Sequence, residues 1–208
     1  MTNARDVAMN LLREPWNMVF FVGFVIYVAI RGRFASQTKV NVKTVRRVDA
    51  LEKTLMVIVI SGGTLPVLVY LFTPLLKFAD YSLPSLAPWC GLGVIVVAIW
   101  LFYRSHADLG LNWSPTLEMR EGHNLVTQGV YRQVRHPMYS SIFLFGFAQG
   151  LMLGNWLAGW CGFVPFAVMY LLRVRREEAM MLEAFGDEYR DYMTRTGRLF
   201  PRFGSRAE

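Results

Sequence analysis

Long apolar blocks separated by charged segments are the main feature of the sequence. Within a block the apolar residues are nearly continuous, unlike the spaced pattern of a soluble amphipathic helix. Several blocks approach the 20 or so residues that a helix needs to cross a bilayer. They lie at about 16–30, 55–76, 83–103, 138–153 and 156–172. The pattern predicts an all-α, polytopic membrane protein with about five transmembrane helices, forming a single domain over 1–208.

Details of the blocks refine this prediction. The first, fourth and fifth blocks are short, but Arg31 and Arg173 can extend two of them by snorkelling to the membrane surface. Only residues 154–155 separate the last two blocks, which predicts a tight helical hairpin. Pro66 and Pro165 are expected to kink their helices without ending them.

The distribution of basic residues predicts the orientation of the chain. Of the 22 Lys and Arg residues, 19 fall within 31–54, 104–136 and 173–208. Positively charged loops stay preferentially on the cytoplasmic side. We therefore expect an integral, multi-pass protein whose two long loops and C-terminus are cytoplasmic and whose N-terminus is outside.

Composition narrows the possible partners. The chain is 54% hydrophobic and carries a formal charge of +7, but its basic residues flank the apolar blocks. This arrangement favours anionic membrane lipids over nucleic acid. Cys90 and Cys161 lie inside apolar blocks, where a thiol packs as a small hydrophobe, and the three His residues are far apart. No metal site is predicted.

Two segments on the predicted cytoplasmic side combine polar, aromatic and glycine residues. They read HNLVTQGVYRQVRHPMY at 123–139 and RVRREEAMMLEAFGDEYRDY at 173–192. Gly129 permits a positive φ and a close approach to a ligand. Arg173 and Glu177 are four residues apart and share a helix face, so spacing alone favours an intrahelical ion pair. The helix is expected to pause at Gly186.

Together the two segments resemble the isoprenylcysteine carboxyl methyltransferase family. The shared pattern is H-x-L-V-x-x-G-V-Y-x-x-x-R-H-P-x-Y at 123–139, E-E at 177–178 and F-G-x-E-Y at 185–189. The resemblance covers roughly 110–203, whereas the first half of the chain contributes only its hydropathy pattern. It implies a compact membrane methyltransferase with a cytoplasmic pocket for S-adenosylmethionine, built from segments 110–139 and 173–203.

The resemblance also implies a role for each matching residue. Arg173 faces the substrate carboxylate as the catalytic and substrate-binding residue, and Glu177 closes the cofactor pocket. The remaining cofactor-binding residues are His123, Asn124, Leu125, Val126, Tyr131, His136, Pro137, Met138 and Tyr139. The implied reaction is methyl esterification of the C-terminal carboxylate of a prenylated cysteine, which makes a lipid-modified molecule the expected partner.

Other functions stay open on the sequence alone. The same pocket is compatible with methylation of a phospholipid amine, a small thiol or another lipid acid. A carboxylate acceptor is already ionised at pH 7, so His136 is expected to bind cofactor and not to act as a base. An amine or thiol acceptor must lose a proton and would therefore need a base. A membrane reductase, which would bind a nicotinamide cofactor, and a non-enzymatic membrane protein are the remaining alternatives.

Overall fold

The computed structural model describes residues 14–37, 43–46, 49–113, 118–120 and 124–202. The helices are α1 (Pro15–Gln37), α2 (Ala50–Phe72), α3 (Ala87–Leu109), α4 (Pro137–Met152), α5 (Trp156–Trp160) and α6 (Phe163–Arg195). Two short strands, β1 (Lys43–Arg46) and β2 (Glu118–Arg120), pair antiparallel and join the two long loops. The prediction of a helical fold is confirmed, and the small sheet is a feature that the sequence pattern did not indicate.

Within the part of the chain that the structure describes, four helical segments are long and apolar enough to cross a membrane. They are Pro15–Gln37, Ala50–Phe72, Ala87–Asn112 and Trp156–Arg195. Helix α4 has only 16 residues, so the five-span arrangement stays a prediction. Many large apolar side chains on these helices are exposed, including Val22, Ile60, Val96 and Leu171, which is expected of surfaces that face lipid.

The last apolar block is loosened close to Pro165. Helix α5 ends at Trp160 and α6 begins at Phe163, but Cys161 and Gly162 between them keep right-handed helical dihedral angles. Pro165 has no N–H to donate to the carbonyl of Cys161, four residues earlier. The expectation that Pro165 disturbs its helix without ending it is therefore confirmed. The predicted pause at Gly186 is confirmed, because its φ of 52° and ψ of −122° interrupt the helix.

Local sequence explains where the other helices begin. Pro15 and Pro137 are the first residues of α1 and α4, positions where the fixed φ of proline suits a helix and its missing N–H costs nothing. The Asp49 side chain caps α2 by accepting a hydrogen bond from the N–H of Glu52 at 2.8 Å. This cap also fixes the position of Glu52, which becomes important at the site.

Helix α3 packs against α1 and, over a larger contact, against α4. A Cβ atom at Gly91 would lie 2.5 Å from Met152 Cγ and 3.2 Å from Leu151 Cβ, so the glycine allows α3 and α4 to approach closely. The surrounding core consists of Phe20, Val67, Leu71, Ile95, Ala98, Phe145, Ala148 and Met152 among others. This packing fixes α3 and α4, whose ends carry the functional loop.

Asn155 joins the opposite end of the bundle. Its amide nitrogen donates to Leu76 O and Asp80 Oδ1, each at 2.7 Å. Its side-chain oxygen caps α5 by accepting from Leu157 N and Ala158 N at 3.1 and 2.9 Å. Asn155 and Ala158 are both fully buried, so the amide of Asn155 and the N–H that it caps on Ala158 have no water as a replacement partner.

We predict that Asn155→Ala lowers the free energy of unfolding by about 3 kcal/mol, because it leaves buried donors and acceptors without partners. Thermal unfolding of the purified protein in detergent measures the change. Ser85→Ala, at an exposed position of the same region, is the control. Equal unfolding temperatures for the two variants would contradict this role of Asn155.

Candidate active site

A cavity of about 170 Å³ lies where the loop before α4 meets α6. Its walls combine aromatic and apolar side chains with a few charged groups. The lining residues are Arg31, Leu109, Asn112, Trp113, Asn124, Leu125, Val126, Tyr131, Arg135, His136, Met138, Tyr139, Ile142, Met169, Arg173, Glu177, Met180, Met181, Tyr189 and Tyr192. A cavity with mainly apolar walls and a few placed polar groups is typical of a small-molecule site.

The structure brings together most of the residues that the sequence predicted for the site. Those on the cavity wall are Asn124, Leu125, Val126, Tyr131, His136, Met138, Tyr139, Arg173 and Glu177. Pro137 is fully buried at the start of α4 and does not line the cavity. His123 lies outside the described residues.

Gly129 and Asp108 anchor the loop to the end of α3. Gly129 has a φ of 59°, and a Cβ atom there would lie only 2.0 Å from Asp108 Oδ2. The same carboxylate oxygen accepts a hydrogen bond from Val130 N at 2.9 Å. The Tyr131 hydroxyl, which follows, donates to Ser105 O at 3.2 Å. Glycine is therefore required at position 129, both for its backbone conformation and for the space it leaves.

Glu177 presents an oriented carboxylate to the cavity. The Tyr139 hydroxyl donates to its Oε2 at 2.5 Å. His136 Nδ1 lies 3.7 Å from Oε1, and Arg173 Nε lies 3.8 Å from Oε2. The side chain remains 29% exposed. It can therefore receive a cationic ligand without leaving its partners.

Glu178 points away from this wall and ties the loop to the C-terminal segment. Arg135 Nε contacts its Oε1 at 3.2 Å, and Arg198 Nη2 contacts its Oε2 at 2.6 Å. The backbone reinforces the junction, because Arg135 N donates to Gly197 O and His136 N donates to Arg198 O. Glu178 is only 4% exposed, so these charge-assisted hydrogen bonds replace its lost hydration.

His136 lies between the two glutamates. Its Nε2 is 3.4 Å from Glu178 Oε1, opposite the contact with Glu177. Burial alone would lower the pKa of His136, because the imidazolium loses its hydration. The nearby carboxylates of Glu177 and Glu178 outweigh burial and raise the pKa. The two glutamates therefore make protonation of His136 more favourable, and the imidazole lies close to both carboxylates.

Arg173 is paired mainly across helices. Its Nη1 lies 3.1 Å from Glu52 Oε1 of α2, closer than the 3.8 Å that separates its Nε from Glu177. The side chains of Arg173 and Glu52 are only 10% and 2% exposed. The intrahelical ion pair expected from spacing alone is thus present, but it is the longer of the two contacts. Glu52 compensates the buried charge of Arg173.

Sequence reasoning missed several charged residues of the site. Glu52 lies just before the second apolar block and was assigned to the preceding loop. Arg31 was interpreted as a snorkelling residue, yet it lines the cavity. Arg198 lies within the predicted segment 173–203, but no role was assigned to it. The available signal was a charged residue beside an apolar block, because such a charge is costly unless it is paired or used.

Several known proteins are similar to this chain. The model of the family described as phospholipid methyltransferase matches residues 86–188, which include α3, α4 and most of α6. The chain is 28% identical over 103 residues to the protein-S-isoprenylcysteine O-methyltransferase of Schizosaccharomyces pombe, covering 49% of this chain and 44% of that protein. It is 30% identical over 119 residues to the Dictyostelium discoideum protein of the same name, covering 53% and 48%.

The chain thus spans about half the length of the curated relatives it matches. The similarity in structure is more extensive. A solved eukaryotic intramembrane Ras methyltransferase, an isoprenylcysteine carboxyl methyltransferase, superimposes with a TM-score of 0.58 and 25% identity, over 94% of this chain and 71% of that chain. In sequence over about half of its length, and in fold over 94% of it, the chain is therefore similar to isoprenylcysteine carboxyl methyltransferases, which are integral membrane proteins.

Proposed function

We propose that this protein transfers a methyl group from S-adenosylmethionine to the carboxylate of a lipid-borne acceptor, a prenylated cysteine in the first place. The observation that carries the proposal is the pair formed by Glu177 and Arg173. It places an oriented carboxylate and a guanidinium on one wall of the cavity. The names of the curated relatives and of the solved structure support the choice of acceptor.

The residues on the wall fit the chemistry of this methyl donor. When bound, S-adenosylmethionine supplies an electrophilic methyl group on a cationic sulfonium. Glu177 offers a partner for the positive charge of the donor, and Tyr139 and His136 hold that carboxylate in place. Leu125, Val126 and other apolar lining residues suit the flat, uncharged adenine ring.

Arg173 is proposed to bind the acceptor carboxylate. A guanidinium matches the planar shape of a carboxylate and can hold it through two hydrogen bonds. Glu52 keeps the arginine in place from the side of α2. Holding acceptor and donor in one orientation removes much of the entropic barrier to transfer. Apolar walls exclude water, which strengthens the attraction between opposite charges.

No general base is needed for this acceptor. A carboxylate is ionised at neutral pH and attacks without losing a proton. His136 is poorly suited to act as a base, because its pKa is raised and both ring nitrogens face glutamates. This environment favours a carboxylate over the amine that the family model's description of phospholipid methyltransferase would suggest.

The surroundings of the cavity complete the proposal. We place it at the cytoplasmic surface of a single five-span domain, with the prenyl tail entering between helices from the bilayer. The 19 of 22 basic residues in the two long loops and the tail support this orientation. The apolar helix surfaces next to the cavity provide a route for a lipid tail.

We predict that purified protein in detergent transfers radiolabelled methyl from S-adenosylmethionine to N-acetyl-S-farnesylcysteine and forms a base-labile ester. Glu177→Gln should lower kcat/KM at least about tenfold, because it removes the negative charge facing the donor. Glu188→Gln, at an exposed position of the same helix, is the matched control.

The product distinguishes the alternatives. A base-stable methylated phospholipid would show that the acceptor is an amine and not a carboxylate. If the protein neither transferred methyl nor bound S-adenosylhomocysteine, the proposed function would be wrong. A reductase or a non-enzymatic role would then remain.

If Arg173 binds the acceptor, replacing it should impair use of the acceptor but not binding of the donor. Arg173→Gln should lower kcat/KM for the acceptor at least about tenfold while the Kd for S-adenosylhomocysteine changes little. This variant also leaves the buried Glu52 without its cation. The double variant Glu52→Gln with Arg173→Gln removes both charges and controls for unfolding. Loss of donor binding with unchanged acceptor turnover would contradict the assignment.

The environment of His136 predicts how stability depends on pH. Folding raises the pKa of His136, so protonation of this residue stabilises the folded protein. The stabilisation is fully present below the pKa of the unfolded state, about 6.5, and is lost as the pH rises through the pKa of the folded state. Wild type should therefore lose its stability advantage over His136→Gln as pH increases above neutrality. Unfolding temperatures of both proteins across this range measure it. An advantage that grows with pH would contradict a protonated His136.

A further inference from the structure

Arg31 is a cation of the cavity that the proposed transfer does not use. It belongs to α1, which lies outside the residues matched by the family model. Its guanidinium carbon lies 5.7 Å from the ring centre of Trp113, which is only 3% exposed. The Trp113 indole donates to Met138 Sδ at 3.3 Å, so the ring is itself anchored on the cavity wall. Arg31 is thereby held towards the cavity by a cation–π contact.

Arg31 differs from the other cations of the site in its partners. Arg173 contacts Glu52 at 3.1 Å, and Arg135 contacts Glu178 at 3.2 Å. Among the residues that the structure describes, no carboxylate oxygen lies within 4 Å of Arg31. A partly buried cation in this position is stabilised by an anionic ligand.

We propose that Arg31 binds a carboxylate of a ligand in the cavity. This proposal rests on the proposed function, in which two carboxylates are available, that of the amino-acid part of the methyl donor and that of the acceptor. A guanidinium supported on an indole ring presents its N–H groups in a fixed plane, which suits bidentate contact with either one. Arg31 would thus extend the site to the first helix.

Ligands with and without a carboxylate test this proposal. For the donor, Kd is measured for S-adenosylhomocysteine and its decarboxylated analogue. For the acceptor, inhibition constants are compared for N-acetyl-S-farnesylcysteine and its carboxamide. Wild type, Arg31→Gln and Arg31→Lys are compared in detergent, with Arg33→Gln as the control because Arg33 is exposed on the same helix. Unfolding temperatures show that each variant is folded.

Arg31→Gln should weaken one carboxylate ligand about tenfold, leave its carboxylate-free analogue unchanged, and be partly rescued by Arg31→Lys. An effect on S-adenosylhomocysteine assigns the donor carboxylate, and an effect on farnesylcysteine assigns the acceptor. Equal loss for a ligand and its carboxylate-free analogue, or behaviour like Arg33→Gln, would overturn the inference while leaving the proposed function intact. If wild type bound neither donor nor acceptor, both proposals would fail.

Discussion

The placement of two adjacent glutamates on α6 is the constraint on which the rest of the site depends. Glu178 is buried and satisfied by Arg135 and Arg198, whereas Glu177 remains partly exposed to the cavity. His136 lies close to both, and their negative charges raise its pKa. Glu178 therefore ties the loop to the C-terminal segment, and Glu177 is available to a ligand. Neither could keep its charge in this environment without the cationic partners.

The site is built from residues that are distant in sequence and that the helices bring together. Asp108 at the end of α3 holds the loop through Gly129 and Val130, while the close packing of α3 on α4 fixes both ends of that loop. From the other side, Glu52 reaches Arg173 across from α2. Rigid helices thus carry the charges, and the loop supplies the shape of the cavity.

The sequence predicted much of this and missed the rest for physical reasons. The apolar blocks and the motifs predicted a helical membrane protein and five of the loop residues on the cavity wall, at 124–126, 131 and 136, but not Asn112, Trp113 or Arg135. Contacts between distant helices, such as Glu52 with Arg173, leave no local pattern and were not predicted. Spacing suggested the Arg173 to Glu177 pair, but the contact across helices is shorter. Pro165 indicated a disturbance of the last helix, but the position of the interruption was hidden because apolar composition continues through residues 161–162.

The central claim is that the cavity beside Glu177 holds the methyl donor. An experimental structure of the protein with S-adenosylhomocysteine in lipid or detergent tests it most directly. We expect the ligand between residues 124–126 and Glu177, with its ammonium near that carboxylate and the Tyr139 hydroxyl still bound to it. Density for the ligand elsewhere on the protein, with this cavity closed, would contradict the assignment.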